Sequence, residues 1–197
     1  MSSSSKPSFA QILHNQWQIL ASFVAIFWGL EFLDVFVLHH RLDQFGIQPH
    51  RFIGLRGILF APFLHGGFLH LISNTVPFLV LGWLVMLQET SDFWIVTVIT
   101  MLVGGLGTWV FGAPGSVHIG ASILIFGYLG FLLFRGYFQR NGASIALSLL
   151  VLFLYSGALW GLLPLQRGVS WQGHLFGFIG GALAARMIAK EKRYYSG

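Results

Sequence analysis

Six long apolar windows alternate with short polar segments along the chain. They run approximately over residues 17–38, 69–87, 93–111, 119–138, 143–163 and 173–189. A helix of about 20 apolar residues crosses the roughly 30 Å hydrocarbon core of a bilayer. The windows use so much of the chain that no separate soluble domain fits beside them. The pattern therefore predicts an all-α membrane protein, a single domain over residues 1–197 with six transmembrane helices.

Composition supports a lipid environment and excludes several functional classes. Of the 197 residues, 55% are hydrophobic and only 9% are charged, whereas soluble domains carry about 25% charged residues. Disordered chains are poor in apolar residues and rich in charge, so the same numbers exclude disorder. The net charge is +5, but the basic residues form no long tract, and we expect no nucleic-acid partner. The lack of cysteine excludes disulfides and thiolate chemistry.

The distribution of Lys and Arg predicts the orientation of the helices in the membrane. One set of flanks carries seven: Lys6, Arg135, Arg140, Arg186, Lys190, Lys192 and Arg193. The opposite set carries four: Arg41, Arg51, Arg56 and Arg167. Both termini are then cytoplasmic, and the second, fourth and sixth helices start at the outer side. The segment between the first two windows, residues 39–67, mixes apolar and charged positions and is predicted to lie in the membrane interface.

Polar side chains stand near the start of the second and fourth helices, and polar groups at such positions indicate function by default. His70 and Asn74 are four residues apart and share one face of the second helix. His65 precedes them, and its favoured role is to tie the long loop to the helix. The same structural role is the alternative for His70 and Asn74. In the fourth helix, Ser122 follows Gly120, whose missing side chain lets another group approach. A plain packing role is the alternative for this serine.

The sixth window places a histidine beside a groove. Gly177 and Gly181 fall on the same helical face as His174, because positions +3 and +7 are rotated by no more than about 60° from it. Small residues at this spacing let membrane helices pack with their backbones close together. His174 is therefore either a packing residue or an imidazole within hydrogen-bond range of a neighbouring helix.

The polar groups of these three helices lie at similar shallow depths, and together they suit acyl transfer. Ser122 needs a base that removes its proton, and His174 is such a base. The tetrahedral oxyanion needs preorganised donors, which the Ser122 amide, His70 and Asn74 can supply.

A third member of a catalytic triad is missing from this layer. Glu31 and Asp34 are the only carboxylates within the windows. We expect them to bond to the long loop rather than to His174, so the sequence predicts a Ser–His dyad.

Three motifs resemble those of the rhomboid intramembrane serine proteases. They are HGGFLHLISN at the start of the second helix, GAS followed by FG in the fourth, and GHLFGFIGG in the sixth. The resemblance covers nearly the whole chain and implies the minimal six-helix rhomboid-like bundle common among bacteria. It implies cleavage of single-span transmembrane proteins in the lipid bilayer, near their outer end, with no cofactor and no metal. It also implies a place in the bacterial inner membrane.

The resemblance assigns roles to individual residues. Ser122 would be the nucleophile and His174 the general base, and the Ser122 amide would form the oxyanion hole with His70 and Asn74. The supporting positions are an aromatic ring on the imidazole, glycines that allow close approach, and a structural or water-organising histidine: Phe126, Gly120, Gly177, Gly181 and His65.

Two positions depart from the family's pattern. Many members have glycine directly after the serine, whereas Ile123 stands there in this chain and is expected to narrow the cavity. Many also carry a Trp-Arg pair in the first loop. The nearest counterpart here is Leu55-Arg56, with the spacing off by one.

Several alternatives stay open at the level of sequence. A catalytically silent relative would bind transmembrane helices without cleaving them. A metal-dependent hydrolase would use His65, His70 and His174, but zinc hydrolases usually add a carboxylate that this layer lacks. A transporter is disfavoured because the helices show no inverted repeat. The sequence indicates no oligomeric state.

Two segments are predicted to control access to the site. The fifth helix, residues 143–163 with Gly157 and Gly161, is a candidate gate. The loop at 167–171 directly precedes His174 and is predicted to cap the site.

Overall fold

The computed structural model describes residues 7–165 and 168–196, and side chains up to Glu191 in the last helix. Within these residues the fold is all-α, and an isolated antiparallel bridge between Ile47 and His118 is the one β-type pairing. The long helices are α1 (Phe9–Leu33), α2 (Phe68–Met86), α3 (Thr90–Phe111), α4 (Ser122–Gln139), α5 (Gly142–Tyr155) and α6 (Trp171–Ser196). A π-helical segment, Asp34–Leu38, continues α1, and a 3₁₀ segment, Ser156–Leu162, continues α5.

Five segments of the described chain are long and apolar enough to cross a membrane, and the protein is an all-α membrane bundle, as predicted. They are Phe9–Leu38, Phe68–Met86, Thr90–Phe111, Ser122–Gln139 and Gly142–Leu162. The sixth window also forms a helix, α6, but it does not reach the same apolarity. The lower apolarity of α6 is explained by its packing against α3 and α4, because protein rather than lipid surrounds much of this helix.

Backbone contact between α6 and α4 holds the centre of the bundle together. A Cβ atom at Gly177 would collide with the carbonyl oxygen of Ile123, and one at Gly181 with the carbonyl oxygen of Gly127. The two glycines therefore face α4 and leave no room for a side chain. Close backbone approach of this kind is how membrane helices associate when burial from water does not drive them together.

The structure adds a buried charge pair that the windows did not reveal. Arg135, counted above among the cationic flanks, is fully buried and forms an ion pair with Asp92 at 2.8 Å. Asp92 stands in the first turn of α3, so Glu31 and Asp34 are not the only carboxylates within the helices. The apolar window began one residue after Asp92, because hydropathy alone does not show that a buried partner neutralises a charge. Arg135 also bonds the Val85 carbonyl and Gln88, and so joins α4 to the end of α2.

The segment 39–67, called the first loop below, is a series of short helical turns packed on α3. These turns are Asp43–Phe45, Phe52–Arg56, Gly57–Phe60 and Ala61–Phe63. The indole of Trp109 donates to the Arg51 carbonyl at 2.8 Å, which ties the loop to the end of α3. Arg56 lies over the ring of Phe45, 4.2 Å from its centroid.

Candidate active site

Ser122 is the first residue of α4, and the turn before it is held by the end of the first loop. The Gly120 amide donates to the Ala61 carbonyl at 2.9 Å. The Ala121 amide donates to Nε2 of His65 at 3.4 Å. Gly120 has a φ of +119°, a conformation that residues with a side chain rarely adopt. The sequence thus folds into a tight turn that exposes the Ser122 hydroxyl at the start of a helix.

The imidazole of His70 lies against this turn. A Cβ atom at Gly120 would stand 2.6 Å from Cε1 and 2.7 Å from Nε2 of His70, and 3.7 Å from the Ser122 hydroxyl. Glycine is therefore required for the ring to approach Ser122. The Gly66 amide points at Nδ1 of His70 from 3.5 Å, so Nδ1 accepts and Nε2 carries the proton. A hydrogen-bond donor consequently faces the neighbourhood of Ser122.

Asn74 lies one turn after His70 on the same face of α2. Its side-chain amide donates to the His70 carbonyl at 2.8 Å, and the residue is 5% exposed. Both side chains line the cavity that also contains Ser122. The structure therefore brings the His–Asn pair of α2 and the serine of α4 to one space.

His174 is held in one tautomer. Its Nδ1 lies 2.9 Å from the carbonyl oxygen of Gly161, and a carbonyl can only accept, so Nδ1 carries the proton. Nε2 is then left with its lone pair free. The ring stacks on Phe126, with centroids 4.0 Å apart and planes at 11°. Phe126 stands one turn after Ser122, and the stacking fixes the imidazole beside the serine's helix.

Gly161 contacts His174, whereas sequence reasoning placed it in the predicted gate and did not connect the two residues. Its carbonyl belongs to the last turn of the 3₁₀ segment, where helical carbonyls lack partners of their own. The one sequence signal for Gly161 was the pair of glycines near the end of an apolar window, followed by Pro164.

Asp34 accepts a hydrogen bond from the Leu42 amide at 2.8 Å. This carboxylate therefore binds the first loop, as predicted.

The four polar groups share one cavity of about 850 Å³, lined by Ser122, His174, His70 and Asn74. The described part of the predicted cap, residues 168–171, also lines it, while Arg167 lies outside the described residues. Among the residues described, the ring of His174 bonds the Gly161 carbonyl, and no hydrogen bond joins it to Ser122. Without substrate this is ordinary, because catalytic hydrogen bonds often tighten only in the substrate complex.

Ile123 faces away from the main cavity and fills space beside Ser122. Its side chain lies at the contact between α3 and α6, where a Cβ atom at Gly104 would stand 2.7 Å from its Cγ1. It is 6% exposed, and with Ser122 and Gly120 it lines a space of only about 10 Å³, as expected of a side chain that narrows the surroundings of the serine. Because Ser122 begins the helix, the next side chain points about 100° away from it.

His65 is a buried neutral imidazole. Burial, together with the neighbouring His70, lowers the pKa of His65 to about 3. The ring can therefore accept from the Ala121 amide through most of the pH range, and its centroid lies 5.2 Å from that of His70. These contacts agree with a structural role at the turn before Ser122.

Among the described residues, His65, His70 and His174 do not form a group of possible metal ligands. In residues 7–165 and 168–196, one group has ligand atoms close enough together to hold an ion, with all three within 4.8 Å of one another. It consists of Asp34, His40 and Asp43, in the first loop and the end of α1. None of these three residues lines the cavity that contains Ser122.

Comparison with known proteins identifies the family. The family model of the rhomboid domain matches residues 54–191, which is more than half of the chain. The chain belongs to the rhomboid family. The resemblance drawn from the three sequence motifs is thereby confirmed, and the fold described above is a rhomboid-like membrane bundle.

Curated relatives extend this similarity to nearly the whole chain. An uncharacterized protein of Mycobacterium tuberculosis (strain H37Rv) is 46% identical over 182 residues, which cover 88% of this chain and 75% of the relative. An uncharacterized protein of Mycobacterium leprae is 43% identical over 200 residues, with 95% and 79% covered. A proposed rhomboid protease of Bacillus subtilis, YdcA, is 31% identical over 140 residues, with 69% and 70% covered.

Membership in the rhomboid family carries a general statement about activity. The family is one of intramembrane serine proteases, whose members act on membrane proteins within the lipid bilayer. The apolar helices and the rhomboid domain together make this chain an integral membrane protein.

Proposed function

We propose that this rhomboid-family protein is a serine endopeptidase that cleaves transmembrane helices with a Ser122–His174 dyad. The observation that carries the proposal is the tautomer of His174. Its Nδ1 donates to the Gly161 carbonyl, so Nε2 is a free base in the cavity that also holds Ser122. A packing role accounts for the bonded nitrogen but not for the second one, which bonds no described residue and belongs to a ring that lines the same cavity as the Ser122 hydroxyl.

The first half of the reaction forms an acyl-enzyme. Nε2 of His174 removes the proton of the Ser122 hydroxyl as its oxygen attacks the scissile carbonyl carbon. The resulting oxyanion is stabilised by the Ser122 amide and by donors from His70 and Asn74. The intermediate then collapses as the C–N bond breaks, and His174 gives its proton to the leaving amine.

The second half hydrolyses this ester. His174 removes a proton from water, whose oxygen attacks the acyl carbon, and the same donors hold the second oxyanion. The bond to Ser122 then breaks, and its oxygen recovers the proton from His174. The polar groups of the cavity give water a place next to the ester inside an otherwise apolar bundle.

Substrate class and membrane orientation belong to the same proposal. The substrates are single-span transmembrane proteins that enter from the bilayer, with α5 and its 3₁₀ extension as the gate, because only 6% of this segment's apolar window is buried. The protein lies in the bacterial inner membrane with both termini cytoplasmic and the cavity open to the outer side. The Lys and Arg distribution supports this orientation.

A fluorophosphonate probe tests the nucleophile directly. The probe phosphonylates an activated serine with loss of fluoride, and a serine without a base reacts poorly. We expect stoichiometric labelling of the purified wild type at Ser122, located by peptide mass spectrometry, and none in Ser122→Ala. Labelling elsewhere, or equal labelling of both proteins, would contradict the proposal. A wild type that resists the probe and cleaves nothing would indicate the catalytically silent relative.

The oxyanion donors have their own expected result. We expect Asn74→Ala and His70→Ala each to lower kcat by about 10²- to 10³-fold, because each removes a donor from the charge that develops in the transition state. The assay is cleavage of a single-span substrate in detergent. Ser73→Ala is the matched control, since Ser73 bonds the same His70 carbonyl as Asn74 and also lines the cavity. Equal losses in Ser73→Ala and Asn74→Ala would mean that the helix, rather than the oxyanion, is affected.

A further inference from the structure

His118 lies in the loop between α3 and α4, four residues before Ser122, and no step of the proposed mechanism uses it. Its main chain is fixed by the bridge to Ile47: the Ile47 amide donates to the His118 carbonyl at 3.0 Å, and the His118 amide to the Ile47 carbonyl at 2.9 Å. Its side chain forms part of the cavity wall. The hydrogen bonds of its ring indicate what this histidine does there.

Both ring nitrogens of His118 are bonded to serine hydroxyls. Nδ1 lies 2.6 Å from the hydroxyl of Ser170, and Nε2 lies 2.8 Å from that of Ser116. The Ser116 hydroxyl donates its one proton to the Ala113 carbonyl at 2.6 Å. It must therefore accept from Nε2–H of His118, which leaves Nδ1 as the acceptor of a neutral ring. Ser170 consequently donates to Nδ1.

Burial favours the neutral form that this pattern requires. The cavity wall desolvates the ring and lowers the pKa of His118 below its ordinary value. The four hydrogen bonds that run through the ring then agree in direction, from the Gly173 amide through Ser170, His118 and Ser116 to the Ala113 carbonyl.

Ser170 is the cap of the helix that carries the base. Its hydroxyl accepts from the Gly173 amide at 3.3 Å, and its carbonyl accepts from the His174 amide at 3.1 Å. A serine cap of this kind satisfies amides that a helix start otherwise leaves unpaired. The first turn of α6 therefore depends on the position of Ser170, and His118 holds the Ser170 hydroxyl.

We propose that His118 is a positioning residue that couples the loop before Ser122 to the first turn of α6 and so sets the place of His174. The proposal rests on the proposed function of the Ser122–His174 dyad. The base is then fixed at two points, its ring by the Gly161 carbonyl and its main chain by Ser170. His118 itself touches no reacting atom.

The test compares two substitutions of the same ring. His118→Asn keeps a polar atom where Nδ1 bonds Ser170, whereas His118→Gln keeps one where Nε2 bonds Ser116. We expect His118→Gln and Ser170→Ala to lower kcat by about ten- to a hundredfold with KM unchanged, because a displaced base affects the transition state more than binding. His118→Asn and Ser170→Thr should stay within about threefold of wild type, since both keep the bond to the cap.

Ser116→Ala is the matched control, because it removes the bond on the other side of the ring. It should leave kcat close to that of the wild type. Equal losses in Asn and Gln variants, a loss in Ser116→Ala as large as in Ser170→Ala, or a change confined to KM would overturn the positioning role. Thermal unfolding of every variant in detergent separates a misplaced base from a misfolded protein.

Amide hydrogen exchange gives a readout that does not depend on catalysis. We expect faster exchange at the Gly173 and His174 amides in Ser170→Ala and His118→Gln, with little change in Ser116→Ala. Unchanged exchange in both would refute the coupling even if activity fell. Faster exchange in a protein that neither cleaves substrate nor reacts with the fluorophosphonate would retain the coupling and refute the proposed function instead.

Discussion

Ser122→Ala should reduce cleavage of a single-span membrane substrate to background, and His174→Ala should do the same. In soluble serine proteases, loss of the serine or the histidine lowers kcat on the order of 10⁶-fold. Removing the hydroxyl leaves no atom to form the ester, and removing the imidazole leaves no group to take the proton. Because the two residues act as a unit, the double variant should lose no more than either single one. Purified variants assayed in detergent and in liposomes provide the measurement.

Two controls give this result its meaning. Ser73→Ala changes another serine of the same cavity and should keep most of the activity. A chelator should leave wild-type cleavage unchanged, because a dyad draws on no ion. Cleavage that persists in Ser122→Ala would exclude the dyad, and inhibition by the chelator would favour a metal-dependent hydrolase.

Gly181→Val should prevent α4 and α6 from packing against each other and cause a large loss of stability. A Cβ atom at this position would collide with the carbonyl oxygen of Gly127, which belongs to a rigid helix backbone. Overpacking of a core costs about 1–3 kcal/mol where side chains can adjust. Here no side chain can move aside, so we expect more than 3 kcal/mol. The unfolding midpoint in detergent and the yield of folded protein measure the effect.

Gly29→Val is the matched control for this substitution. Gly29 also lies within a helix, α1, but no atom stands within 4 Å of a Cβ placed there. The same chemical change should therefore leave stability nearly unaltered or raise it slightly, since glycine is a poor helix former. Equal destabilisation by both substitutions would show that the close approach of α4 and α6 is not what Gly181 provides.

Much of the fold could be predicted because the membrane imposes it. A chain with so few charges has few ways to satisfy its backbone in lipid, and apolar windows of helical length show where it crosses. Charges that neutralise each other were not visible in this way. Arg135 and Asp92 are far apart in sequence, and only the tertiary structure shows that they form one buried pair.

The side chains of the candidate site could be selected from sequence, but their connections could not. Ser122, His70 and His174 stand out because polar groups are rare in such helices. The contact between His174 and Gly161 is made by a main-chain oxygen, which every residue possesses and no pattern reveals. The role inferred for His118 could not be predicted from sequence either, because its partner Ser170 lies on a distant loop. The position of that loop depends on the fold.

The Gly161 carbonyl makes the geometry of the base depend on the shape of the chain rather than on the identity of a side chain. No substitution at position 161 can delete the acceptor, although any side chain there would press on Phe126, 2.8 Å from its Cβ. What can remove the acceptor is movement of the 3₁₀ segment Ser156–Leu162 that contains it. A lipid, detergent or substrate that shifts this segment would therefore change the tautomer and aim of His174 with every residue of the site intact. Preparations of one sequence could then differ in activity according to the thickness of the bilayer around them.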